Sequence, residues 1–237
     1  MKNRILLTAI TFLAPTMLNT GVFADTSSNQ NNATTDVTAT FTAPTNPTNP
    51  TPPGEVSPVQ PGNPETPNPG NKPLNPQSNF GIAYVPKSFN FGSNAISNGS
   101  LSVTASPASG KSFDVGVKNE THTTNGWTLS ASLKGDLAKY NSTITTKTQV
   151  NNVKLNNGTN SMTNVPTSAV TSVANYQISS TSANTPIMTG VKGQIYSGTF
   201  NLNLGDSVTL NIPDTTNLAA GNITGTIDWN LATVPSN

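Results

Sequence analysis

From Phe80 onward the chain consists of short runs in which apolar and polar residues alternate, and this alternation most constrains its fold. The runs include FGIAYVP, SLSVTAS, SFDVGVK, GWTLSASL, GTFNLNLG, DSVTLNIP and NITGTIDWNL, bounded by Gly, Asn, Ser or Pro. A period of two is typical of strands that bury one face. Many short strands separated by turns predict an all-β fold, an antiparallel β-sandwich or a barrel-like domain. GDLAKY is compatible with a single helical turn, and VPTSAVTSVANYQ is too rich in Thr and Val to assign.

Composition excludes several classes of protein. The 237 residues include no cysteine, one histidine (His122), and 11 basic residues against 10 acidic ones. A chain without cysteine forms neither disulfides nor a thiolate metal site. The nearly balanced charge lacks the positive field that a nucleic-acid-binding protein uses, so no nucleic-acid partner is expected.

The N-terminus has the pattern of a secretory signal peptide. Lys2 and Arg4 precede the apolar run ILLTAITFLAPTML, and GVFAD supplies small residues at Val22 and Ala24 for a signal peptidase. The run is too short and too interrupted by proline to favour a permanent membrane span. We therefore expect residues 1–24 to be cleaved, the mature chain to be secreted, and no membrane span to remain.

The residues that follow the signal peptide are polar and rich in proline. Twelve of the 19 prolines lie between Pro44 and Pro76. Because proline fixes φ and lacks a backbone N–H, this segment is predicted to form neither helix nor sheet. The predicted organisation is a signal peptide (1–24), a disordered polar and proline-rich linker (25–79) and one β domain (80–237).

Both tryptophans occur in the pattern Trp-x-Leu, Trp127 with Leu129 and Trp229 with Leu231. Residues two apart in a strand share a face, so each Trp and its Leu are predicted to lie on one apolar face. In one interpretation each indole is a core residue, whose truncation typically costs about 3–5 kcal/mol. In the other it belongs to an exposed platform that stacks on a sugar or a protein partner. Alternation alone is compatible with both.

The order of these motifs resembles that of WxL-domain proteins, a cell-surface family of low-GC Gram-positive bacteria. The resemblance covers the signal peptide, the proline-rich segment, YVPKSFNFG, the first motif in GWTLSASL and the second in TGTIDWNLATVP. It implies non-covalent attachment to the bacterial cell wall, with peptidoglycan or another cell-wall polymer as the ligand. It also implies companion surface proteins with WxL-interacting domains as possible partners. The ligand-binding or fold-defining residues that it implies are Trp127, Leu129, Trp229 and Leu231.

Three roles fit this resemblance. The first is a wall-binding module, the second a structural or interaction subunit that binds a companion surface protein, and the third an adhesin that contacts host material. The sequence contains no LPxTG-type sorting signal and ends without a hydrophobic tail. These observations favour non-covalent retention at the cell wall and cell surface.

No combination of residues typical of catalysis is present in the sequence. Glu120 and His122 stand two residues apart, but no second His and no Cys would complete a metal site. The aspartates are scattered, and a G-x-S-x-G motif is absent. We expect no enzyme, no catalytic residue, no cofactor and no metal. Four lysines are predicted to form either a mildly basic patch that faces anionic wall polymers or a solvated region: Lys134, Lys139, Lys147 and Lys154.

Overall fold

The computed structural model describes residues 52–53, 70–96, 99–156 and 162–234, and these residues form three antiparallel β-sheets. The predicted signal peptide and most of the predicted linker lie outside the described residues. The strands are β1 (Asn71–Pro73), β2 (Phe80–Pro86), β3 (Leu101–Ala105), β4 (Asp114–Asn119), β5 (Gly126–Gly135), β6 (Thr143–Thr146), β7 (Val153–Asn156), β8 (Met162–Asn164), β9 (Val170–Ser172), β10 (Gln177–Ile178), β11 (Pro186–Gly190), β12 (Gly198–Asn203), β13 (Val208–Ile212) and β14 (Gly225–Val234). A four-residue helix, α1 (Asp136–Lys139), follows β5, and a 3-10 helix spans Ser182–Asn184.

Each sheet is open, with a strand at either edge. The first sheet has the order β1-β2-β4-β12-β7-β8, the second β10-β6-β13-β3 and the third β14-β5-β11-β9. The predicted all-β antiparallel fold is therefore confirmed, and the open sheets match the sandwich rather than the barrel-like alternative. The helical turn expected in GDLAKY is α1.

A single hydrophobic cluster draws side chains from all three sheets. In β13 the alternation is direct: Val208, Leu210 and Ile212 are buried, whereas Thr209 and Asn211 are half-exposed. The same period of two places buried residues of β5, β6 and β12 against them. This alternation is the reason why these runs fold as strands that share one core.

The carboxylate of Asp114 lies buried at the start of β4 and is held by four side chains. The Asn71 amide donates to its Oδ2 at 3.2 Å, and the Asp114 backbone N–H donates to Asn71 Oδ1 at 2.9 Å. The amides of Asn201 and Asn203 donate to its Oδ1 at 3.0 and 3.1 Å, and the Ser112 hydroxyl donates to Oδ2. Buried carboxylates require such donors, so this network joins β1, β4 and β12.

Strand β1 lies inside the proline-rich segment, where no sheet was predicted, so that prediction is wrong for Asn71–Pro73. The strand pairs antiparallel with β2 at the edge of the first sheet. Proline is tolerated there because Pro73 is the last residue of an edge strand, where a missing N–H breaks no ladder. The buried Asn71 side chain anchors the strand from within.

Candidate functional site

The two Trp-x-Leu motifs lie side by side in the third sheet. Strand β14 pairs antiparallel with β5 over ten residues without a bulge, and Leu231 stands directly opposite Leu129. Trp229 stands opposite Ala131, and Thr233 opposite Trp127. Two motifs about a hundred positions apart in the sequence therefore form a single structural unit.

The first motif belongs to the core. Trp127 is 3% exposed and Leu129 is fully buried. The Trp127 ring packs on Phe200 of β12 with centroids 5.6 Å apart and an interplanar angle of 32°. Its indole also occupies the space above Gly190 of β11, where any Cβ would overlap the ring. Trp127 thus joins the first and third sheets.

The second motif lies on the edge strand of the same sheet. Ile227, Trp229 and Leu231 are half-buried and pack against the core, whereas Asp228 and Asn230 are exposed. The two tryptophans therefore have different environments. Trp127 is enclosed, while Trp229 is accessible at the sheet edge.

Both faces of β5 are buried at its centre, which the sequence analysis did not identify. Ser130 and Ser132, on the face opposite the motif, are buried. The segment that precedes β11 covers them: the Ser130 hydroxyl donates to the Ala183 carbonyl, and Ser182 Oγ donates to the Ala131 carbonyl at 2.6 Å. A serine-rich strand face is typical of a surface exposed to solvent. No pattern in the neighbouring sequence indicates that a distant segment covers it.

A groove of about 1070 Å³ opens beside Trp229. Its aliphatic floor comes from edge strand β3, from β13 and from β5, with Val103, Leu210 and Leu133 as examples. Three aromatic side chains line it: Phe89, Phe91 and Trp229. Neither Trp127 nor Leu129 nor Leu231 is among its lining residues. Of the four motif residues, the structure therefore brings one to this groove.

The lining of the groove carries positive but no negative side chains among the residues that the structure describes. Lys72 and Lys87, both exposed, are its only charged members there. Three exposed asparagines contribute amides: Asn90, Asn94 and Asn222. Such a surface suits a ligand with amide and hydroxyl groups and free carboxylates.

The four lysines that the sequence suggested as a basic patch are mostly paired. Lys139 Nζ lies 2.8 Å from Asp136, and this hydrogen bond raises the pKa of Lys139. Lys147 Nζ lies 3.1 Å from Asp206, and its hydrogen bond lowers the pKa of that carboxyl. Lys154 donates to Asn164. Pairing with carboxylates offsets two of the four positive charges, whereas Lys154 contacts a neutral amide and Lys134 is exposed.

Glu120 and His122 each lie close to another side chain. His122 has a φ of +53° in the connection between β4 and β5, and its Nε2 lies 3.3 Å from Ser197 Oγ. Glu120 Oε2 instead lies 3.9 Å from the buried Lys118 ammonium. Within the described part of the chain, no group of three or more His, Cys, Asp or Glu is placed to hold a metal ion.

Comparison with known proteins identifies one family. Its sequence model, described as "WxL domain surface cell wall-binding", matches residues 28–235. No curated protein and no solved structure matches the chain. Among the described residues, neither helix has the length and apolar character needed to cross a membrane. With both motifs paired in one sheet and the match covering most of its length, this chain belongs to the WxL family of surface cell wall-binding domains.

Proposed function

We propose that this protein is held at the cell surface by non-covalent binding of peptidoglycan, and that the ligand lies in the groove beside Trp229. The family is described as cell wall-binding, which gives the general role. One observation carries the finer proposal. Trp229, a residue of the second motif, lines the groove together with Phe89 and Phe91.

The lining of the groove suits the chemistry of peptidoglycan. Aromatic faces pack on the C–H faces of sugar rings, and the aliphatic floor accommodates acetyl and alanyl methyl groups. The exposed Asn222 amide and the Asn94 Oδ1 offer hydrogen bonds to acetamido and peptide groups. Lys72 and Lys87 offer charge-assisted bonds to the free carboxylates of stem peptides.

The motif residues divide into two roles under this proposal. Trp127 and Leu129 are enclosed and maintain the fold. Leu231, opposite Leu129, holds β14 against β5. Trp229 is the motif residue that contacts the ligand, because it combines a position in the same pair of strands with access to the groove.

The test is co-sedimentation of the purified secreted protein with peptidoglycan freed of protein and teichoic acid. We expect the wild type to sediment with the wall, and Trp229→Ala to lose affinity about fivefold or more, as truncation of a contact residue typically does. Lys87→Gln changes an exposed rim residue without touching the core, so it tests the groove independently of folding. Ile195→Ala serves as the matched control, because Ile195 is 59% exposed and does not line the groove.

Thermal unfolding of each variant separates contact from structure. A cooperative transition near that of the wild type, combined with lost binding, supports the groove as the site. Unchanged affinity in folded Trp229→Ala and Lys87→Gln would place the wall contact elsewhere. Retention that requires an added companion surface protein would replace peptidoglycan with that protein as the ligand. Digesting the stem peptides from the wall before the assay distinguishes recognition of glycan from recognition of peptide.

A further inference from the structure

Among the residues that the structure describes, none pairs with the outer edge of β14 in the third sheet. It is the end strand of that sheet and spans ten residues, whereas each of the other described edge strands spans five or fewer. Natural sheets usually protect such edges with lysine, proline, bulges or short strands. The ten β14–β5 pairs run without a bulge, and β14 contains neither lysine nor proline. This edge therefore lacks the usual protection against pairing.

The hydrogen bonds of β5 show which backbone groups of β14 face outward. The Ala131 N–H donates to the Tyr176 hydroxyl at 3.3 Å, and the Leu133 N–H donates to the Ser179 carbonyl at 2.8 Å. Both N–H groups thus point away from β14. In an antiparallel pair, residues opposite each other point their backbone groups toward or away from each other together. Trp229, opposite Ala131, and Ile227, opposite Leu133, therefore direct their N–H and C=O groups to the open side.

The alternation of the ladder extends this assignment along the strand. Leu231 and Thr233 also face the open side, whereas Asp228 and Asn230 bond to β5. Helix α1 covers only the start of the strand, where the Leu137 N–H donates to the Thr224 carbonyl at 3.1 Å. The open edge is thus the backbone of Ile227–Thr233, centred on the second motif.

We propose that this edge pairs with the same edge of a second copy of the chain, antiparallel and centred on Trp229. In that register Ile227 of one copy stands opposite Leu231 of the other, and the two Trp229 residues stand opposite each other. Pairs related in this way always lie on the same face of the joined sheet. The half-buried apolar row of each copy therefore continues into that of the other, and the polar row meets the polar row.

Charge also favours a second copy in this register. Asp228 is the only charged residue of β14. In pairing centred on Trp229 it stands opposite the exposed Asn230 amide of the other copy, and each amide can donate to a carboxylate. The two Asp228 carboxylates are not opposite each other. The strand is therefore complementary to itself in length, in apolar pattern and in charge.

The pairing joins two four-stranded sheets into one and places both grooves beside the shared strands, because each groove is lined by Ile227 and Trp229. About six backbone hydrogen bonds form between the three central pairs. The interface is small, so self-association is weak in solution and grows with local concentration. A dimer with two grooves would bind a polymer more tightly than a single groove does, a consequence that rests on the proposed function.

Two substitutions of Asn230 are expected to shift dimerisation in opposite directions. Asn230→Asp places one additional carboxylate opposite Asp228 in each half of the dimer, and Asn230→Lys places an ammonium there instead. Sedimentation of the secreted protein from micromolar to millimolar concentration gives the midpoint of dimerisation. We expect the aspartate variant to raise that midpoint and the lysine variant to lower it, each by roughly two- to thirtyfold, from two cross-strand charge pairs per dimer. Both shifts shrink in high salt.

Amide hydrogen exchange tests the edge itself. The amides of Ile227, Trp229 and Leu231, which form the three central pairs, are expected to exchange rapidly in dilute protein and slowly in concentrated protein. Those of Asp228 and Asn230, bonded to β5, serve as internal controls that stay protected. A protein that remains monomeric throughout, even with Asn230→Lys, would overturn the proposal. So would a dimer insensitive to both charge changes, or edge amides protected only by a different surface protein. Without a dimer the gain from two grooves is lost, but binding of the single groove to peptidoglycan, which is measured separately, is still expected.

Discussion

The indole of Trp127 lies against the backbone of Gly190, its cross-strand neighbour in β11. The ring fills the volume that a side chain at Gly190 would otherwise occupy and continues onto Phe200. Aromatic residues that cover a cross-strand glycine in this way pin the register of a sheet. The first motif thus depends on a glycine about sixty positions further along the chain.

Gly190→Ala is expected to destabilise the fold by about 1–3 kcal/mol, because the new methyl group displaces a well-packed indole. Urea unfolding, followed by circular dichroism, measures the change. Thr189→Ala, one residue earlier and half-exposed, is the matched control and should change stability by less than about 0.5 kcal/mol. Equal effects of the two substitutions would mean that Trp127 does not depend on Gly190.

Tyr84→Phe is expected to destabilise the fold by about 1–3 kcal/mol, because its hydroxyl is buried between two partners. The hydroxyl donates to Asn201 Oδ1 at 2.8 Å and accepts from the Asn156 amide at 3.1 Å. Its removal leaves a buried acceptor and a buried donor without this partner. Comparison with Tyr140→Phe, whose ring is only half-buried, controls for the loss of a tyrosine hydroxyl as such.

Alkaline pH provides a second test of the same residue. Burial raises the pKa of Tyr84 above its usual value of about 10. Above that value the unfolded state loses the phenolic proton while the folded state keeps it, so stability declines as pH rises. The decline contributed by one such group approaches about 1.4 kcal/mol per pH unit. Chemical unfolding between neutral pH and about pH 11 should show this slope in the wild type, and a slope smaller by that contribution in Tyr84→Phe. Identical slopes would refute the assignment.

Asn71→Ala is expected to release β1 and to cost about 1–3 kcal/mol, because the buried Asp114 carboxylate loses one of its donors. Limited proteolysis is the direct measurement. In the wild type we expect β1 to be protected, whereas the variant should be cut within β1 and up to the start of β2. Gln77→Ala, an exposed position in the following turn, is the control. Cleavage that does not change would show that β1 is held by its backbone bonds alone.

The two tryptophans allow ligand binding to be followed by fluorescence without a label. Trp127→Phe leaves Trp229 as the only indole, and Trp229→Phe leaves Trp127. Soluble peptidoglycan fragments are expected to shift the emission of Trp229 and to protect it from acrylamide, because it lines the groove. The enclosed Trp127 should respond to neither. A response from Trp127 alone would contradict the assigned division of roles.

Much of the architecture follows from the alternation of residues. The runs that contain Val208, Leu210 and Ile212, or Trp127 and Leu129, lie in strands with those side chains in the core. Local periodicity encodes which face is apolar, since side chains alternate in every strand. It carries no information on which distant strand becomes the neighbour. For this reason the pairing of Leu129 with Leu231 could be observed only in the structure.

The different positions of the two motifs could not be predicted for the same reason. GWTLSASL and DWNL have similar patterns, yet the first lies within a sheet and the second at its edge. The covering of Ser130 by the segment around Ser182 depends on contacts across about fifty residues. Strand β1 was not predicted because one asparagine side chain, rather than a hydrophobic pattern, anchors it.

The order of the strands in the chain has a consequence for export. Strand β14 is synthesised after every other described strand, yet it pairs with β5 and supplies Ile227 and Trp229 to the groove. Chains threaded through a membrane from the N-terminus release their last strand only at the end of translocation. In a chain exported in this way, as the sequence predicts for this one, the groove would be assembled on the far side of the membrane, after β14 has crossed it. Such a chain would acquire its capacity to bind the proposed ligand only where that ligand is present.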